Sequence, residues 1–349
     1  MMIATLALIF FGFAWGFASG KKNVFPAAII SKFEEQDFSK SAEKSELPEN
    51  FSEISAQCRQ ASFPISDQFG NNHDPVYLPG VKGSEYNNYL IISGVDGVRQ
   101  LYGANSLSNN PNNWKLVNEN LKISEDYELD DGIMVNGIYY IFENGNIYEV
   151  DVPLENSSGK WNVVGHFPKE LDDIGVYYDG SILHIFGEYG EYSGGYDGAR
   201  LAYATSDLTF KNWNIVSTNI LDPNTKPESN WGVGDPSLIV LGGRVIMITD
   251  IEGPGDPYRI ALWESDGFGR NFNFAGILAA PAPGNAGYNN YRVQDGDFAV
   301  SADGQIYMFA NWMDTDGNPG HKLPLFSEGW TRVVGGYHCA IDVRVAAGP

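Results

Sequence analysis

The sequence predicts an all-β fold, a five-bladed β-propeller preceded by an N-terminal hydrophobic segment. Three observations carry that prediction. An acid-led hairpin recurs five times, a polar turn and an aromatic residue echo after most copies, and no Pro/Ser-rich linker divides residues 60 to 349. Repeats of roughly 40–60 residues suit one four-stranded blade each.

The clearest copy runs from Asp235 to Asp250. An acid opens a short apolar run, Gly242-Gly243 breaks it, and a second run returns to another acid. Two β-rich runs split by Gly-Gly read as a tight hairpin, and their near-continuous apolar character predicts cover on both faces. The first copy opens at Asp74-Pro75-Val76 and returns through Tyr89 to Ser93 after a longer turn. The second opens at Asp131 and turns at Asn136-Gly137, the third opens at Asp173 and turns at Asp179-Gly180, and the fifth opens at Asp297 and turns at Asp303-Gly304. Further along, Ser106-Leu107 precedes Trp114, Ser206-Asp207-Leu208 precedes Trp213, and Ser265-Asp266 precedes Phe272. Trp161 and Trp330 supply the aromatic in the other two copies. These echoes are expected at each blade's outer edge. A β-sandwich of unrelated hairpins explains five like-ordered copies less well.

Residues 1–20 carry no charge and end in Ala18-Ser19-Gly20 before Lys21-Lys22, which reads as a signal peptide or a membrane anchor. The lack of Lys or Arg at its start weakens the cleaved reading, and the basic pair behind it hints at a cytoplasmic C-terminal side. Residues 21–57 mix Lys and Glu as a spacer or neck, leaving 58–349 for the propeller. Balancing these signals, a secreted or membrane-anchored monomer on the extracytoplasmic side is favoured, touching the membrane through its N-terminal segment if that is uncleaved. The chain has 22 Lys+Arg against 44 Asp+Glu, a net charge of −22, which excludes a nucleic-acid partner because phosphate binding needs basic patches.

Only two cysteines occur, Cys58 and Cys339, so no zinc-ligand spacing exists. They flank the repeat array, where a bridge would join the ends of the ring; two buried free thiols are the competing reading. A bridge would also argue for an exported domain.

In a propeller the innermost strands converge on the axis, so the residues that open them share one mouth. Asp74, Asp131, Asp173, Asp235 and Asp297 are expected there, with Glu143, Glu188, Asp250 and Glu252 where the second strands return. Carboxylates crowded in a poorly solvated mouth raise one another's pKa values, which is what a general acid beside a general base requires. Glycoside hydrolysis uses such a pair. The bland alternative is that each Asp caps a turn through its side chain. Aromatics near these acids, Trp231 and Trp312 among them with Tyr77, Tyr177 and Trp263, would stack on sugar rings or pack the blades. His73, beside Asp74, is a turn histidine or a substrate contact.

With its Asp-Pro openings and Ser-Asp-Leu…Trp turns, the pattern resembles the five-bladed propeller glycoside hydrolases of families 43 and 32, over roughly residues 60 to 349. The resemblance implies an Asp base on blade one, an Asp that tunes the acid on blade two, and a Glu acid on blade three. Asp74 matches the base and Asp131, with its neighbour Asp130, the tuning residue. Blade three departs: it opens Leu171-Asp172-Asp173, so the acid is Asp173, or Glu188 reaching in from the returning strand, or is absent. The Asn-Asp-Pro-Asn-Gly signature of the fructan enzymes is also missing, since the chain reads Asn72-His73-Asp74-Pro75-Val76.

The implied catalytic set is therefore Asp74, Asp131, Asp173 and Glu188, with His73, Trp231, Asp235, Asp297 and Trp312 binding substrate. The implied activity is hydrolysis of an arabinose-, xylose- or unusual-sugar polysaccharide or oligosaccharide. The alternative is a non-hydrolytic glycan-binding or envelope-glycan-processing module. No cofactor or metal is assigned. Propellers of this type can hold an axial calcium ion, but Asp314-Thr315-Asp316-Gly317-Asn318 lacks the closing Glu of a dedicated loop.

Overall fold

A computed structural model describes residues 53–344 except 62–63, 67–72, 94–98, 122–128, 151–152, 158–160, 190–199, 222–231, 254–255, 282–291 and 316–329. The N-terminal hydrophobic segment and most of the proposed neck lie outside the described residues. No helix among the described residues is long and apolar enough to cross a membrane.

Among the described residues, twenty strands form five four-stranded antiparallel sheets. Blade 1 is β2 (His73–Pro79), β3 (Asn88–Ser93), β4 (Arg99–Ala104) and β5 (Lys115–Asn118). Blade 2 is β6 (Asp131–Val135), β7 (Ile138–Glu143), β8 (Asn146–Val150) and β9 (Asn162–His166). Blade 3 is β10 (Leu171–Tyr178), β11 (Leu183–Tyr189), β12 (Arg200–Ser206) and β13 (Asn214–Leu221). Blade 4 is β14 (Gly232–Leu241), β15 (Arg244–Gly253), β16 (Asp256–Ser265) and β17 (Asn273–Ala279). Blade 5 is β18 (Arg292–Val300), β19 (Ile306–Thr315) and β20 (Trp330–Arg344), completed by β1 (Glu53–Gln60) from the N-terminal side.

The hairpins form where turn chemistry directs them. Asn136 and Gly137 have φ of 54° and 81°, and Gly242 and Gly243 have 57° and 80°. Both central residues are left-handed, the geometry that matches strand twist and that Asn-Gly and Gly-Gly adopt at little cost. The aromatic echoes at 114, 161, 213 and 272 fall just before the outer strands or at their start, as expected. The indole N–H of Trp114 donates to the Ser108 carbonyl, and that of Trp161 to the Ser157 hydroxyl. Trp330 breaks the pattern because it opens β20, a third strand. Blade 5 takes its outer strand from the other end of the array, so among the described residues no fourth strand follows β20.

That exchange closes the ring. All eight residues of β1 pair with β20, and Cys58 lies directly opposite Cys339. The two are joined by a disulfide, the first of the two readings the cysteines allowed. Residues 53–57, read from the sequence as part of the neck, thus pair within the blade 5 sheet.

Five apolar clusters hold the ring together, and each fills one seam between neighbouring blades. Ile246, Ile248, Leu262, Met308 and Trp312 line the seam between blades 4 and 5, and Tyr89, Ile91, Tyr139 and Ile141 that between blades 1 and 2. Because both faces of every sheet meet a neighbour, the inner strands read as continuous apolar runs. Trp312 belongs to this packing. It is 1% exposed and meets Tyr337 edge-on at 5.9 Å, so the expectation that it stacks on substrate is corrected. Side chains alternate along a strand, and with Asn311 turned toward the acids Trp312 turns into the seam. Trp263 and Tyr177 are also spent on packing.

Candidate active site

The mouth is built by a local irregularity repeated in four blades. Asp74, Asp173, Asp235 and Asp295 all have left-handed φ, between 41° and 50°. Each sits at a shift in the pairing between its blade's first two strands. Asp tolerates this conformation better than most residues, and a bulge re-aims the side chain out of the ladder. Four matched outliers at one end of the ring are a reason to look for function there.

This changes two of the five leading acids. Asp131 and Asp297 do not occupy the left-handed position; they lie two residues further along, the place held by Ser237 in blade 4. In blade 5 the left-handed acid is Asp295, and in blade 2 the matching place is Leu129 with Asp130 beside it. The sequence offered Asp295-Gly296-Asp297, and only the register separates the two acids.

The second tier fastens blade to blade. Asp131 Oδ2 accepts the backbone N–H of Val176 in blade 3 at 2.6 Å. Asp297 Oδ2 accepts that of Tyr77 in blade 1 at 2.6 Å, while its Oδ1 accepts the Ser237 hydroxyl at 2.8 Å. Ser237 in turn accepts the Phe298 N–H at 3.0 Å. Burial pushes the Asp297 carboxyl up to about 7 against these three supporting contacts. Burial, followed by the charge of Asp297, holds Asp131 well above the usual range. In blade 3 the tier residue is Gly175, and small size is what the place requires: a Cβ there would lie 1.8 Å from the Pro236 carbonyl oxygen.

Asp74, Asp130, Asp131, Asp173, Asp235, Asp295 and Asp297 line one hollow at the mouth of the ring. One carboxylate oxygen each from Asp173, Glu188 and Asp235 lies within 4.8 Å of the others, and the same holds for Asp130, Asp172 and Asp173. Glu188 comes from the returning strand β11 and is 5% exposed. Its carboxylate occupies the space above Gly234, where a Cβ would lie 1.8 Å from Oε1. Glycine is therefore required before Asp235 for Glu188 to reach the cluster.

Burial and then the charge of Glu188 hold the Asp173 carboxyl well above its ordinary range, with Asp172, Asp130 and Asp74 adding to it. Burial and then Asp173 do the same for Asp235, helped by Asp295, Asp250 and Glu188. Burial and Asp172 raise Asp130. Burial and mutual repulsion of the charged forms thus favour a retained proton on several of these carboxyl groups, the setting in which a carboxylic acid serves as a donor.

Of the remaining sequence-derived residues, His73 lies in β2 with only its backbone described, and Trp231 and the side chain of Glu252 lie outside the described residues. Glu143 is fully buried and pairs with Arg99 across the seam between blades 1 and 2. The returning position after β7 is instead Asn144, which completes a polar series with Ser93, Glu188, Asp250 and Asn311.

The fold and its acid-ringed mouth define a five-bladed β-propeller. No family model matches the chain, and no characterised protein matches it in sequence. Among solved structures it is similar to a thermostable family-43 glycoside hydrolase, with a TM-score of 0.56 and 12% identity over 82% of this chain and 97% of that one. The catalytic domain of the Coprinopsis cinerea GH62 α-L-arabinofuranosidase gives 0.53 and 11% over the same shares. An N-acetylgalactosamine deacetylase from F. plautii gives 0.51 and 12%, over 83% of this chain and 95% of that one. At these identities the likeness is one of fold, and the deacetylase shows that the fold serves more than one chemistry.

Proposed function

We propose that this protein is a glycoside hydrolase acting on an arabinose- or xylose-type polysaccharide or oligosaccharide, with Asp74 as general base and a proton held between Asp173 and Glu188 as the acid. The observation that carries the reading is the approach of Glu188 to Asp173 and Asp235 at the hollow's edge. It supports Glu188 as a reaching arm for a blade whose leading residue is one methylene shorter than the family pattern. In the mechanism proposed, the protonated member of the pair donates to the leaving-group oxygen while Asp74 activates water from the blade 1 side. Asp130 sets the field around Asp173, and Asp235 orients the sugar. The disulfide accords with an exported protein, and a secreted or membrane-anchored location is part of this proposal.

The test is release of reducing sugar from arabinan, xylan and their aryl glycosides. Asp74→Asn and Glu188→Gln should each lower the rate by at least 100-fold, with circular dichroism unchanged. Unchanged turnover in both variants sinks the acid–base assignment. The shorter acid at position 173 favours a second reading, a propeller that binds glycan without cleaving it. Glycan-array binding with no turnover on any of these substrates would select it.

A further inference from the structure

We propose that Asp235, Asp250, Asp295 and Asn311 form a binding site for a hard divalent cation of the calcium class, on the blade 4 and blade 5 side of the mouth. The sequence reading assigned no metal, and the site shares Asp235 with the residues proposed to orient the sugar.

One oxygen from each of Asp235, Asp250 and Asp295 lies within 4.8 Å of the other two, close enough for a single ion at the Ca–O distance of about 2.3–2.6 Å. The three come from different places, two left-handed bulges and a returning strand. Asp250 is 1% exposed, and it accepts the backbone N–H of Asp295 at 3.1 and 3.2 Å, which fixes one acid against the other.

Acids alone would not make a site; the neighbouring carboxamides do. Asn311 is completely buried, and its Nδ2 donates to Asp295 Oδ2. Its Oδ1 has no hydrogen-bond partner. Gln294, opposite Asn311 in the ladder, repeats the arrangement: Nε2 donates to both Asp295 oxygens at 2.9 and 3.1 Å, and the buried Oε1 has no partner. Flipping either amide would turn its oxygen onto the Asp295 carboxylate, so the orientation is forced. A buried carbonyl oxygen without a donor is costly, and a cation held beside Asn311 supplies what its oxygen lacks. Carboxylate and carboxamide oxygens with no nitrogen or sulfur select calcium, magnesium or manganese over zinc.

The experiment uses the full chain, stripped with chelator and titrated calorimetrically with CaCl₂ at constant ionic strength, with MgCl₂ and NaCl as comparisons. One calcium per chain should bind, with a matching rise in melting temperature. Binding should weaken as pH falls and protons compete for Asp235. Asp250→Asn and Asn311→Ala should each weaken calcium binding at least tenfold, while Asp172→Asn in the neighbouring cluster should leave it intact. If Asp250→Asn does not fold, Asn311→Ala alone decides the matter. No calcium binding above the NaCl control overturns the proposal, as does binding of equal strength in Asn311→Ala. Calcium binding is read without substrate and sugar release without reference to the titration, so the failure of either proposal is distinguishable from the failure of the other.

Discussion

Removing the Cys58–Cys339 bridge should be the most costly single covalent change to this fold. The two cysteines are 281 residues apart, so the bridge closes a loop containing nearly the whole ring. In the chain-entropy model a loop of that size restrains the unfolded chain by about 5–6 kcal/mol. The native state should change little, because β1 keeps its eight-residue register with β20 and its apolar residues stay on the seam between blades 4 and 5. The Cys58→Ser/Cys339→Ser variant should therefore lose up to about 5 kcal/mol, a fall in melting temperature of roughly 10 °C or more. Guanidinium unfolding of both proteins measures it, with the bridge verified by mass spectrometry of non-reduced peptides. In the variant, hydrogen exchange in β1 should rise before exchange elsewhere, because strand pairing alone then holds the ring shut. A loss under about 1 kcal/mol with the bridge present in the parent would refute the argument that the ring depends on covalent closure.

Three other outcomes are expected. Asp297 has a folded pKa raised to about 7, so its stabilising contribution is complete below the ordinary carboxylate range and is lost as pH rises through 7. Melting temperature should fall between pH 4 and pH 8, and Asp297→Asn should flatten that slope; an equal slope in the variant would remove Asp297 as its source. Gly234→Ala places a Cβ 1.8 Å from Glu188 Oε1, and the flexible carboxylate must move. The fold should persist while sugar release drops at least tenfold, and a normal rate would count against Glu188. Arg99 and Glu143 are both buried, so Arg99→Met strands a carboxylate and should cost about 3–5 kcal/mol in denaturant unfolding. Arg99→Met/Glu143→Leu should recover most of that loss, and a double variant no more stable than the single one would contradict the pairing.

The architecture was legible because it rests on local rules repeated five times. Asn136-Gly137 and Gly242-Gly243 specify their turns by backbone chemistry alone, and the strands between blades are apolar throughout because both sheet faces are covered. The position of Cys58 and Cys339 at the ends of the array pointed to the closure they make. The N-terminal segment gave its hydrophobic composition and no more. Trp330 misled because strand exchange lets an N-terminal segment replace the fourth strand of blade 5, and no local signal marks that substitution.

By itself the sequence determined the blades, their order and the presence of acids where the inner strands begin. Tertiary structure decided which acids face the hollow. In Asp295-Gly296-Asp297 composition cannot separate the two acids; a shift in the strand pairing between Gln294 and Asp297 gives Asp295 the left-handed position and leaves Asp297 to fasten blades 4, 5 and 1. Trp312 likewise went to the seam and Asn311 to the acids, because side-chain direction alternates along a strand while the register that sets its phase depends on residues far away in the chain.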